Sequence, residues 1–170
     1  MALTDDIGIR GEAICVLVLT QFCGRNRPLF RPHFLGDKFP TLDYLVELVD
    51  AGPITALFFV QVKATTRGYT QPRQGVRRLH VQVPQEDMRR LVLYPAPTYV
   101  IGIDEREEVG YILAADEHSS GPIASLSTSS PLDCEHLGLL WSEVNEYWKQ
   151  RDMRLLRSVF SASQEGEGHA

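Results

Sequence analysis

The chain has 170 residues, enough to bury the core of one domain and too few for two ordinary ones. Its apolar fraction of 44% and charged fraction of 23% are those of a globular protein, which excludes a chain that is disordered throughout. No apolar run approaches the ~20 residues that span a bilayer, and the acidic opening Met1-Ala2-Leu3-Thr4-Asp5-Asp6 lacks the basic start of a secretory signal, so a cytoplasmic protein without a membrane partner is expected.

From Ile7 to Phe22 the pattern predicts a helix, with Asp5 or Asp6 as N-cap and Gly24 just past its end. Its run Ala13-Ile14-Cys15-Val16-Leu17-Val18-Leu19 is apolar nearly all round and predicts burial on most sides, which makes the adjoining Glu12 informative. Cys15, Cys23 and Cys134 are odd in number and widely spaced. They predict neither a zinc site nor a disulfide framework, and Cys15 reads as a small apolar core residue.

Residues 25–40 form a basic, proline-containing segment with a short strand at 29–35. Two apolar strands follow, Leu42-Asp43-Tyr44-Leu45-Val46-Glu47-Leu48-Val49 and Ala56-Leu57-Phe58-Phe59-Val60-Gln61-Val62-Lys63, separated by the turn signal Asp50-Ala51-Gly52-Pro53. Folded back about Gly52, they set Asp43 opposite Gln61, with Lys63 two residues further on. Alternation then gives Asp43, Glu47, Gln61 and Lys63 one face. Polar groups converging on an apolar sheet are costly unless they pair or bind a ligand; a salt bridge between strand ends would do it, and so would a metal with a phosphate.

Residues 65–74, with Gly68, Tyr69 and Pro72, predict a loop that orders on a ligand. Leu79–Val83 alternates as a strand, Pro84 opens a short helix over 85–93, and 98–103 and 109–114 are two more strands joined by the charged turn 104–108. Asp133 caps a last helix reaching Lys149, whose Leu137, Leu140, Trp141, Val144, Tyr147 and Trp148 are core or dimer surface. Residues 1–160 make one domain, and 161–170 a disordered tail. The expected fold is α/β, a central mixed sheet flanked by helices on both faces.

The net charge of −5 is unevenly spread. Residues 1–100 hold twelve Lys and Arg against nine Asp and Glu, and residues 101–170 hold five against thirteen. No acid falls between Asp50 and Glu86, a window holding Lys63, Arg67, Arg73, Arg77, Arg78 and His80. None falls between Glu12 and Asp37, a window holding Arg25, Arg27, Arg31 and His33. The pattern predicts a basic face beside the polar strand pair, suited to a polyanion, although loop arginines can also be merely solvated.

Ile7-Gly8-Ile9-Arg10-Gly11-Glu12-Ala13, Leu42-Asp43-Tyr44 and Phe59-Val60-Gln61-Val62-Lys63-Ala64-Thr65, followed by Pro95-Ala96-Pro97-Thr98-Tyr99-Val100-Ile101-Gly102-Ile103-Asp104 and the Trp-bearing last helix, resemble the PD-(D/E)xK restriction-endonuclease-like superfamily over about residues 5–150. The likeness is to its Mrr-type and Holliday-junction-resolvase-like branches, and in particular to an uncharacterised bacterial endonuclease-like domain family. The resemblance implies a restriction-endonuclease-like fold and Mg²⁺- or Mn²⁺-dependent hydrolysis of DNA, in a bacterial defence or restriction system; the lone domain, with no visible target-recognition or ATPase module, predicts a homodimer or a partner subunit of a complex. The resemblance also implies Asp43, Gln61 and Glu12 as metal ligands and Lys63 as the catalytic lysine, while the acid-free windows offer Arg67, Arg73, Arg77, Arg78, Arg25, Arg27 and Arg31 as contacts to nucleic acid. The chain departs from the majority motif at Gln61, where Asp or Glu is commoner. A catalytically silent nucleic-acid-binding or assembly subunit is therefore the alternative. A small-molecule enzyme finds no phosphate-binding glycine loop or nucleophile–base pair to support it.

Overall fold

Alternation along Tyr44-Leu45-Val46-Glu47-Leu48 buries Tyr44, Val46 and Leu48 and leaves Leu45 and Glu47 half-buried, the pattern of a strand packed hard on one side. Five strands build the main sheet of the computed structural model, which describes residues 3–36, 39–72, 74–119 and 121–151. In chain order the elements are α1 (Leu3–Leu19), β1 (Phe30–Phe34), β2 (Tyr44–Leu48), β3 (Leu57–Thr65), β4 (Arg78–Leu79), α2 (Gln85–Val92), β5 (Thr98–Asp104), β6 (Val109–Ala114), β7 (Leu126–Ser127) and α3 (Cys134–Gln150). The expected tail, 161–170, lies outside the described residues.

The main sheet has the order β1-β2-β3-β5-β6. Only β3 and β5 run parallel, joined by the crossover through α2; the other neighbours are antiparallel, so the sheet is mixed and the fold α/β. One face is buried under α1 and α3: Ile14, Cys15 and Leu19 of α1 and Leu137, Leu140 and Val144 of α3 share a core with Val46, Phe58, Val60, Ile101 and Ile103. The other face is buried under α2 and a two-stranded sheet of β4 and β7, where Met88, Leu91, Leu79 and Leu126 meet Val100. The second cover is therefore part helix and part sheet, not helices alone. Among the described residues no helix is long and apolar enough to cross a membrane.

Two glycines permit this packing. A Cβ on Gly11 would collide with the Cβ of Ala64, so α1 rests directly on β3 there. A Cβ on Gly102 would lie 2.5 Å from Leu126 Cδ1, so β7 rests directly on β5.

Several expectations need correction. α1 starts at Leu3 and ends at Leu19, placing Asp5 and Asp6 inside its first turns instead of at the cap. Val81 and Val83 continue no strand; Val83 makes an isolated bridge to Ile123. Residues 68–70 and 78–80 pair as a hydrogen-bonded stem instead of lying in an open loop: Thr70 N donates to Arg78 O at 2.8 Å and His80 N to Gly68 O at 3.1 Å. β7 is two residues long, too short to show a period in the sequence. Asp133 does cap α3, accepting from His136 N at 2.9 Å, and that bond holds its carboxyl below the usual range.

Cys23 and Cys134 form a disulfide, with Cα atoms 5.4 Å apart, contrary to the reading of scattered thiols; Cys15 is a buried free thiol as expected. Cys23 lies just past α1 and Cys134 opens α3, and both helices cover one face of the sheet, which brings together residues 111 apart in sequence. The bond also removes the cysteine count as an argument for a reducing compartment. Closing so long a loop stabilises the fold by about 5 kcal/mol in the chain-entropy account. Reductant should lower the denaturant midpoint of the wild type and leave Cys23→Ser unmoved. A wild type indifferent to reductant would mean that the bond contributes nothing.

Candidate active site

The site begins where β2 ends. The register sets Tyr44 against Val60, and one residue earlier Asp43 N donates to Val60 O at 2.9 Å. On β3 the N–H of Phe59 goes to Pro97 O beside β5, so the N–H groups of Val60 and Val62 point the other way, toward β2. At Val62 the β2 strand has already run out. Asp43 Oδ2 takes its place, accepting from Val62 N at 2.6 Å. A charge-assisted bond therefore seats the Asp43 carboxylate beside the peptide that links Gln61 to Val62.

Gln61 and Lys63 flank Val62. They alternate with Val62 and Ala64, which pack on the core under α1, so they leave β3 on the opposite side, abreast of Val100 and Gly102. Gln61 is 4% exposed, and its Oε1 has no hydrogen-bond partner. Leaving a buried carboxamide oxygen unbonded costs about 1–3 kcal/mol. Lys63 is half-buried.

Glu12 follows Gly11, the residue lying against Ala64, so α1 delivers it next to the same stretch of β3. Tyr44 Oη donates to the Glu12 carbonyl at 3.5 Å. Burial pushes the Tyr44 phenol up to about 12, helped by the charges of Glu12 and Asp43; burial raises the Cys15 thiol, helped by Asp43 and Glu12. The shared face read from odd numbering describes Glu47, Gln61 and Lys63, while Asp43 sits at the strand margin and Glu12 arrives from α1. Glu47 is turned to other work, paired with Arg31 at 3.3 Å and with His33 at 3.2 Å.

Oxygen donors thus come from three places: Asp43 at the strand margin, Gln61 on the face of β3 away from α1, and Glu12 on α1. The sheet face alone does not bring Glu12 to the side of Gln61 and Lys63. An all-oxygen set of this kind fits a hard divalent cation such as Mg²⁺ or Mn²⁺. Among the described residues no three His, Cys, Asp or Glu side chains gather to hold a metal, so a cation here would need the Gln61 oxygen as a ligand.

The arginines divide. Arg27 is paired with Asp50 at 2.8 Å and Arg31 with Glu47, so the acid-free window 13–36 is neutralised in part by acids from β2 and the turn after it. Arg25 and Arg67 are exposed. Arg77 stacks over Tyr69 at 5.2 Å, and Tyr69 Oη meets Tyr111 Oη at 3.1 Å, which ties the 68–80 hairpin to β6. The sequence offered Tyr69 as a loop residue, and nothing in it marks the pairing with Tyr111, 42 residues away. Arg78 bonds to Ser125. Arg73 lies outside the described residues.

No family model matches the chain, and no curated protein matches it. The solved structure of a bacterial homing endonuclease is similar over 89% of this chain and 100% of that one, at 16% identity and a TM-score of 0.49. At that level the likeness assigns neither residues nor a reaction.

Proposed function

We propose that the protein is a metal-dependent endonuclease that hydrolyses phosphodiester bonds in DNA. One observation carries the reading: Asp43 is seated on Val62 N between Gln61 and Lys63, and the buried Gln61 oxygen beside it has no partner. Asp43, Gln61 and Glu12 are the proposed ligands of Mg²⁺ or Mn²⁺. Such a cation supplies Lewis-acid polarisation of the phosphoryl oxygen and a lowered pKa for a bound water. The Val62 N–H holds Asp43 at its margin without a rotamer search, and Lys63 offers an ammonium to charge developing on the phosphoryl oxygens. Arg25, Arg67, Arg73, Arg77 and Arg78 are proposed backbone contacts, conferring affinity that falls with salt and little sequence information. Arg27 and Arg31 could contribute only by exchanging their acidic partners for phosphate. The proposed setting is a bacterial defence or restriction system, with the chain working as a homodimer or beside a partner subunit.

A second reading, a silent nucleic-acid-binding subunit, is favoured by the neutral Gln61 where the resembling superfamily carries an acid. Nicking of supercoiled plasmid separates the two. The wild type should nick with Mg²⁺ or Mn²⁺ and stop in EDTA, and Gln61→Glu should keep or raise the rate by adding a carboxylate. Cleavage by Gln61→Glu alone would support the silent-subunit reading. No cleavage by either would end the nuclease proposal.

A further inference from the structure

The outer surface of the small β4–β7 sheet carries a second feature. Alternation sends Leu79 and Leu126 inward onto Gly102 and sends Arg78, Ser125 and Ser127 outward. There the hairpin and β7 enclose a groove of about 630 Å³ lined by Thr70, Gln74, Arg78, Ser125, Ser127 and Ser129 among others, with no acidic side chain among the described residues of its wall.

Arg78 is held in place by neutral groups. Its Nε donates to Ser125 Oγ at 2.9 Å and its Nη2 to Ser125 O at 2.7 Å. Among the described residues these use two of the five guanidinium N–H donors, and none of them gives the charge an acidic partner. Arg10, Arg27, Arg31 and Arg90, by contrast, are all paired with acids. Nearby hydroxyls are also ordered, with Ser127 Oγ bonded to Ser129 Oγ at 2.9 Å. The hairpin is locked to β7 by Thr128, whose Oγ1 donates to Arg77 O at 2.9 Å. An orientated, unneutralised fork ringed by hydroxyls and a carboxamide complements a tetrahedral anion with several acceptor oxygens.

We propose that this groove binds a backbone phosphate of the polynucleotide, with Arg78 as its cationic centre and Ser125 as the residue that positions Arg78. The choice of a polynucleotide over free phosphate rests on the nuclease reading. The groove opens on the side of β4–β7 that faces away from the main sheet, so its phosphate is not the one beside Lys63. The nucleic acid runs from the Lys63 site around the hairpin to reach it.

The test is binding of fluorescent duplex DNA of unrelated sequences in EDTA, followed across salt, with inorganic phosphate as competitor. Arg78→Ala should bind about 10-fold more weakly and flatten the slope of log K against log salt by ~1, the loss of one phosphate contact. Arg78→Lys should keep the slope but lose several-fold in affinity, because it retains the charge without the fork. Ser125→Ala should keep the slope with about a 3-fold loss. Ser127→Asp, which adds a negative charge to the groove, should weaken binding more than 10-fold. Wild-type affinity and slope in both Arg78→Ala and Ser127→Asp would overturn the proposal, and the second variant decides if the first misfolds. Competition by millimolar phosphate that disappears in Arg78→Ala, without any slope change on DNA, would assign the groove to a free anion and equally overturn it. Cleavage is not read, so a wild type that binds as described yet never cuts refutes the nuclease reading and leaves the groove standing.

Discussion

Asp43→Asn should fold like the wild type and lose metal-dependent cleavage by at least about 10²-fold, the scale on which single electrostatic groups at reacting centres act. The substitution separates two jobs of one side chain. Its amide oxygen can still accept from Val62 N, so the end of β2 stays joined to β3. What disappears is the negative charge, leaving Glu12 as the one carboxylate among the proposed ligands. Asp43→Ala removes both, and its unfolding free energy should fall as well, by about 1–3 kcal/mol for an orphaned N–H. Titration calorimetry with Mn²⁺ and plasmid nicking read the first effect; urea denaturation reads the second. If Asp43→Asn cleaves at the wild-type rate, the ligand assignment is wrong whatever the fold.

Lys63→Ala should lower the cleavage rate at saturating DNA by about 10²–10³-fold. DNA affinity should change by no more than about 3-fold, because one lysine is a small share of a footprint built from several arginines. Folding should be little affected: Lys63 is half-buried and lies abreast of Gly102, which presents no side chain to pack against. Lys63→Arg should recover part of the loss if charge on the phosphoryl oxygens is what matters. A rate loss matched by an equal loss of affinity would make Lys63 a binding residue and remove it from the chemistry.

Much of this molecule could be read from its sequence. Periods of 2 and 3.6 located β2, β3, β5, β6 and α3 to within about two residues, because half-buried strands and helices impose those periods on adjacent residues. The turn at Gly52 and the lengths of its two strands set the antiparallel pairing of β2 with β3, which brings Asp43 to Gln61 and Lys63. The Asp133 cap is likewise a local signal, contained within four residues.

Tertiary structure decided what depends on residues distant in the chain. The acid-free stretch 13–36 did not become an acid-free surface, because strand pairing laid Glu47 against Arg31 and His33 and carried Asp50 to Arg27. The Cys23–Cys134 bond and the contact of Gly11 with Ala64 arise from where two helices lie across a sheet, which no local period encodes. Asp43 illustrates both halves. Its place in the sequence foretold a neighbour on β3, but only the point at which β2 runs out left Val62 N without a backbone partner and drew the carboxylate onto it. An unmet backbone donor is a property of two strands together, and neither strand's sequence contains it.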